Sequence, residues 1–132
     1  MEEAQLRIAD MILASPIKSK IYDGKWLTRI SCPTFGRAQG YSVELSAEVK
    51  DGAYHAGIGI AGDPGSLVVD GKIGSDGTAA LLAKGFVGSA AQSGGMIVGT
   101  SYFFHVVGQF EHSSGTGKRI EFRPCNLTFV KQ

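Results

Sequence analysis

The sequence predicts an all-β domain, an antiparallel up-and-down barrel of about eight strands with an N-terminal helix, and three observations carry that prediction. From Trp26 onward apolar and polar residues alternate in short segments, the period of a strand with one buried face. Nineteen of 132 residues are glycine, against four prolines, and Asp-Gly pairs recur at Asp23, Asp51, Asp70 and Asp76, which suggests many tight turns. A meander of strands joined by short turns exposes two edges unless it closes, and closure favours the barrel over two packed sheets.

Residues 2–14 are the one helical candidate, rich in Glu, Ala, Gln, Leu, Arg and Met, with Leu6, Met11, Ile12 and Leu13 as its apolar positions and Pro16 ending the run. Such a helix covers a flank of the barrel or contacts another chain. Residues 1–22 thus read as helix and linker, and 23–132 as the barrel domain. The first strand opens at Asp23-Gly24-Lys25-Trp26, with Trp26, Thr28, Ile30 and Cys32 on one face. A loop over Pro33–Gly40 leads to the clearest alternation in the chain, Tyr41, Val43, Leu45, Ala47 and Val49 against Ser42, Glu44, Ser46, Glu48 and Lys50.

Lys50-Asp51-Gly52 turns into a strand over 53–61, with Tyr54, Ala56, Ile58 and Ile60 inward, and Gly62-Asp63-Pro64-Gly65 turns it back. Leu67–Ile73 and Thr78–Val87 are the next strands. Residues 88–95 form a loop or strand bend, and Met96–Val98 is a short apolar extension of a neighbouring strand. Thr100–Glu111 is a long strand, His112–Gly117 a polar turn, and Arg119–Arg123 and Asn126–Lys131 close the chain around Pro124. Small inward residues, Ala47, Ala56, Ala79, Ala83 and Gly108, suit the narrow interior of a small barrel.

Thirteen basic and twelve acidic residues leave a net charge of +1, so no field of one sign recruits nucleic acid or an anionic membrane. No stretch approaches membrane-spanning length and the N-terminus has no signal-peptide pattern, which points to the cytoplasm; bridged cysteines or a removed leader would instead mean export. Cys32 ends the first strand and Cys125 precedes the last. Barrel closure makes those strands neighbours, so the two either bond or stand as buried free thiols. With no Cys-x-x-Cys spacing, neither a metal site nor a cofactor is expected.

Gly24-Lys25-Trp26 at the head of a barrel's first strand resembles the calycin group: lipocalins, avidins and fatty-acid-binding proteins. The resemblance implies that Trp26 seals one end of the barrel and that a cation from the C-terminal stretch, Arg119 or Arg123, packs across its ring. A single tryptophan departs from the avidins' biotin site, and a helix before the barrel departs from the lipocalins. The chain also resembles small bacterial domains of unassigned role that carry a tryptophan strand near the start and Arg-Pro-Cys near the end.

Gly57-Ile-Gly-Ile-Ala-Gly62 matches the dinucleotide-binding pattern by letters, but that chemistry needs a helix after the loop and another strand follows here. His55, His105 and His112 have no ligand spacing, and no residue is assigned a catalytic role. Tyr41, Tyr54, Tyr102 and Phe104 fall on inward faces and are the candidate lining for a small, largely apolar ligand, or else they fill the barrel. Residues 79–107 are apolar on both faces, which makes Phe103 and Val107 candidate contacts to a second copy of the chain. The expectations are therefore a non-catalytic binding domain, an assembly module with a filled barrel, or, third, an enzyme using His105 or a tyrosine at the barrel mouth.

Overall fold

The structure, a computed structural model, describes residues 20–132. The helix expected over residues 2–14 lies outside that range. Eight strands run β1 (Gly24–Cys32), β2 (Tyr41–Lys50), β3 (Ala53–Ile58), β4 (Leu67–Ile73), β5 (Thr78–Phe86), β6 (Ser101–Phe110), β7 (Ser114–Arg119) and β8 (Asn126–Lys131). Each pairs antiparallel with the next, and β8 pairs with β1 to close the barrel.

The alternation dictates what goes inside. Trp26, Thr28, Ile30 and Cys32 of β1 are all buried, while Arg29 and Ser31 face water. On β2 the same period buries Leu45, Ala47 and Val49 and leaves every second residue exposed. A one-residue slip would exchange the faces, so burial fixes the register.

β7 differs from the sequence expectation, which placed a turn at 112–117 and a strand at 119–123. The strand is Ser114–Arg119, and the turn is shorter. Its inward positions are Gly115, Gly117 and Arg119, so it has no hydrophobic signature. Space explains this: a Cβ on Gly117 would stand 3.2 Å from the Phe129 ring, and one on Gly115 3.3 Å from that of Phe110. Rings from neighbouring strands occupy the volume that β7 side chains would otherwise fill. β3 is also shorter than expected, because Gly59 takes positive φ and leaves the ladder after Ile58. Met96–Val98 extends no strand; it lies in the β5–β6 loop with its side chains exposed.

One end of the barrel is solid. Trp26 is edge-on to Phe110 at 5.0 Å between centroids, Phe110 lies 4.4 Å from Phe129, and Phe129 meets Tyr54 at 5.8 Å. Tyr22 packs against Phe110 from outside the first strand, and its carbonyl accepts the Trp26 Nε1–H at 2.8 Å. Inside this cluster the Thr28 and Tyr54 hydroxyls bond to each other, which satisfies two polar groups that are otherwise sealed from water.

The connections at the two ends differ. At the Trp26 end they are residues 51–52, 74–77 and 111–113. At the other end they are 33–40, 59–66, 87–100 and 120–125, long enough to build walls above the sheet.

Candidate functional site

The long loops enclose a cavity of about 580 Å³ at the end opposite Trp26. Its floor is made by inward side chains at the ends of the strands: Tyr41 and Val43 from β2, Leu67 from β4, Tyr102 from β6 and Arg119 from β7. The loop over 33–40 adds Phe35, Arg37 and Ala38, the 87–100 loop adds Val87, Gln92 and Met96, and the 120–125 loop adds Phe122 and Arg123. Phe35, Ile58, Met96 and Phe122 are exposed at the rim, an apolar collar around the mouth.

The four residues expected to line a ligand pocket divide between the two ends. Tyr41 and Tyr102 line the cavity. Tyr54 lies in the solid half, against Phe110 and Phe129, with its hydroxyl on Thr28. Phe104 is buried beneath the cavity floor, stacked parallel to Tyr102 at 6.3 Å. Strand direction accounts for the division: Tyr54 is near the start of β3 and Tyr41 at the start of β2, and those two starts are at opposite ends of an antiparallel pair.

The expected pairing of Trp26 with Arg119 or Arg123 is corrected for the same reason. Both arginines sit where β7 ends and β8 has yet to begin, at the cavity end. The cation over Trp26 is Lys131, opposite it in the β1–β8 ladder, with Nζ 6.0 Å from the ring. Arg119 instead lies on the face of Phe104 at 4.1 Å, with Phe122 at 5.7 Å. Its Nε donates to the Glu121 carbonyl at 2.8 Å, and Nη1 approaches the Cys125 sulfur at 4.0 Å. Burial lowers the guanidinium pKa below its ordinary value, yet arginine stays charged at any physiological pH. Burial also raises the Tyr102 phenol.

Arg123 ties three loops together. Nη1 donates to the Gln92 carbonyl at 2.7 Å, and Nη2 to those of Pro33 at 2.7 Å and Gln39 at 3.3 Å. Its Nε–H is buried with no partner among the described residues. Composition gave no sign of this role, which depends on loops far apart in sequence.

Cys32 and Cys125 are bonded. They continue the β1–β8 register by one step past Ser31↔Asn126, so the bond lies across the seam that closes the barrel and beside the loop that carries Arg123.

On the outer wall His105 pairs through Nδ1 with Glu121, whose other oxygen accepts the His105 backbone N–H. His55 pairs with Asp70 through Nδ1 alone. Neither histidine lines the cavity. Gly57 lies in β3, and Gly59 and Gly62 shape the connection to β4, with no helix to receive a phosphate. Among the described residues no cluster of His, Cys, Asp and Glu could hold a metal. Phe103 and Val107 stand on the outer face of β6 with about half their surfaces exposed, and Phe103 meets Phe122 edge-on. Compared with known proteins, the chain matches no family model, and no curated protein or solved structure matches it.

Proposed function

We propose that this chain is a non-catalytic, calycin-type binding domain that takes a small, largely apolar molecule into the cavity above Tyr41 and Tyr102. The observation that supports this reading is the cavity itself: about 580 Å³, apolar-walled, and within the size range of small-molecule sites. The long loops place the apolar cavity at the end opposite Trp26, which favours that end as the binding mouth. The calycin assignment draws support from the Gly24-Lys25-Trp26 motif and from Lys131 packing over Trp26 from the last strand.

Native mass spectrometry of the purified protein tests the reading, with N-phenyl-1-naphthylamine as a neutral fluorescent probe. Co-purifying mass that leaves on denaturation, or saturable probe binding at one site per chain, is the expected result. A clean apo protein that does not take up the probe would overturn it. A second reading, self-association through the β6 face, is favoured by the exposure of Phe103 and Val107 beside Phe122. Light scattering across a dilution series decides that one, with loss of a dimer in Phe103→Ser as the expected signature.

A further inference from the structure

The charges that face the cavity are all of one sign. Arg37, Arg119 and Arg123 line it, and no Asp or Glu does, although the chain as a whole carries thirteen basic and twelve acidic residues. This asymmetry belongs to the cavity and is absent from the composition.

Arg119 is the central case. Its position on β7 is inward, and it pairs with Val106, one step below Phe104 along the inner face of β6. The side chain therefore rises from the barrel interior to the cavity floor rather than reaching in from the rim. Of its five N–H groups, Nε is satisfied by the Glu121 carbonyl and one on Nη1 points to a sulfur, a weak acceptor. The others meet no acceptor among the described residues. Glu121, the nearest carboxylate in sequence, is turned outward onto His105. Arg119 is half-buried and lines the cavity, and the Phe104 face attracts the cation without giving these N–H groups an acceptor.

A second and independent feature lies in the same cavity. Arg123 is only 9% exposed, and its Nε–H is buried without a partner. Tyr41 and Tyr102 line the same cavity floor and bring phenol hydroxyls near Arg119.

We infer that the ligand is an amphiphile with one acidic group, carboxylate or sulfonate, which seats on Arg119 at the cavity floor while its apolar body rises past Val43 and Leu67 to the collar of Phe35 and Met96. An acid group presents two or three oxygens to the planar guanidinium fork, the geometry for which arginine is suited and lysine is not. This inference rests on the binding-domain reading and narrows its ligand from apolar to acidic and apolar.

Two dyes of one skeleton test it: 8-anilinonaphthalene-1-sulfonate, which bears the anion, and N-phenyl-1-naphthylamine, which lacks it. The sulfonate is expected to bind the wild-type protein at least about tenfold more tightly, a preference worth about 1.4 kcal/mol. Arg119→Gln is expected to weaken the sulfonate about tenfold or more and the neutral dye less than about threefold, with Arg119→Lys recovering only part of the loss. Trp26 emission, at the far end of the barrel, reports whether each variant is folded. If Arg119→Gln does not fold, the wild-type dye pair, repeated in the rim variant Arg37→Gln, decides alone. Equal affinities for the two dyes, or equal weakening of both by Arg119→Gln, would overturn the acidic-ligand inference and leave the binding domain standing. Failure of both dyes to bind would overturn the two together.

Discussion

Breaking the bond between Cys32 and Cys125 removes the only covalent tie across the barrel seam among the described residues. Folding should become less favourable by an amount set mainly by the unfolded chain. The cross-link joins residues 93 apart, and for a loop of that size the chain-entropy relation gives about 4.6 kcal/mol at 25 °C. That is a large share of the roughly 5–15 kcal/mol by which a domain is normally stable. Both half-cystines are buried, so a Cys32→Ala, Cys125→Ala variant also loses packing around the sulfurs, on the order of 1 kcal/mol for each. Reduced wild-type protein keeps the sulfur volume and isolates the cross-link. The assay is urea unfolding followed by Trp26 emission, for oxidised protein, reduced protein and the double variant. Stability should fall in that order, and the dependence on urea should steepen once the cross-link no longer holds the unfolded chain compact. A gap of less than about 1 kcal/mol between oxidised and reduced protein would refute the reasoning, because the loop entropy would then be offset or absent.

Three further outcomes follow from groups elsewhere in the barrel. Thr28→Val or Tyr54→Phe alone strands a buried hydroxyl and should cost about 1–3 kcal/mol, while the double variant should cost less than the sum of the singles; an additive thermal or urea cycle would show that the pair is not coupled. Burial pushes the Tyr54 phenol up to about 12, against roughly 10 in an unfolded chain. Between those values the unfolded state releases a proton that the folded state keeps, so stability should decline as pH rises from about 10 to 12, by up to roughly 2–3 kcal/mol. Tyr54→Phe should flatten that decline, as read from urea midpoints across the range. Arg123→Met releases three carbonyls at once and should cost about 2–4 kcal/mol, with faster amide exchange in 33–40 and 87–100 than in β1; Arg123→Lys, lacking the fork, should rescue little.

The strands with one wet and one dry face were legible in the sequence because alternation is itself the cause of their burial. β2, β4 and β8 begin and end where the alternation and the turn residues place them. Alternation does not locate β7 because its inner face is Gly115, Gly117 and Arg119, and the smallness of the glycines becomes meaningful only once the Phe110 and Phe129 rings are known to occupy that space. The neighbourhood of Cys32 and Cys125 followed from closure of the barrel. The site was half legible. Inward-facing aromatics can be chosen from periodicity, but period alone does not state at which end of the barrel a residue lies, so it groups Tyr54 and Phe104 with Tyr41 and Tyr102. The same ambiguity put Arg119 and Arg123 beside Trp26. Lys131, across the ladder from Trp26, required the register between the first and last strands.

The positions of the two outer segments of the barrel have a practical consequence. Lys131 Nζ donates to the Ile21 carbonyl at 3.2 Å, and the Gln132 backbone N–H donates to the Lys25 carbonyl at 2.8 Å, so residues 21–25 and 131–132 leave the barrel side by side, beneath Trp26. An affinity tag, a fluorescent fusion or a surface tether joined through residues 131–132 would hang from the Trp26 pole, with its attachment point a full strand length from the mouth. Immobilised biosensor measurements made through that segment keep the attachment point away from the cavity. In a permutant of residues 20–132, a linker of a few residues between Gln132 and Lys20 would bridge neighbouring points, which makes one reopened in the 87–100 loop a direct probe of how far that wall shapes binding.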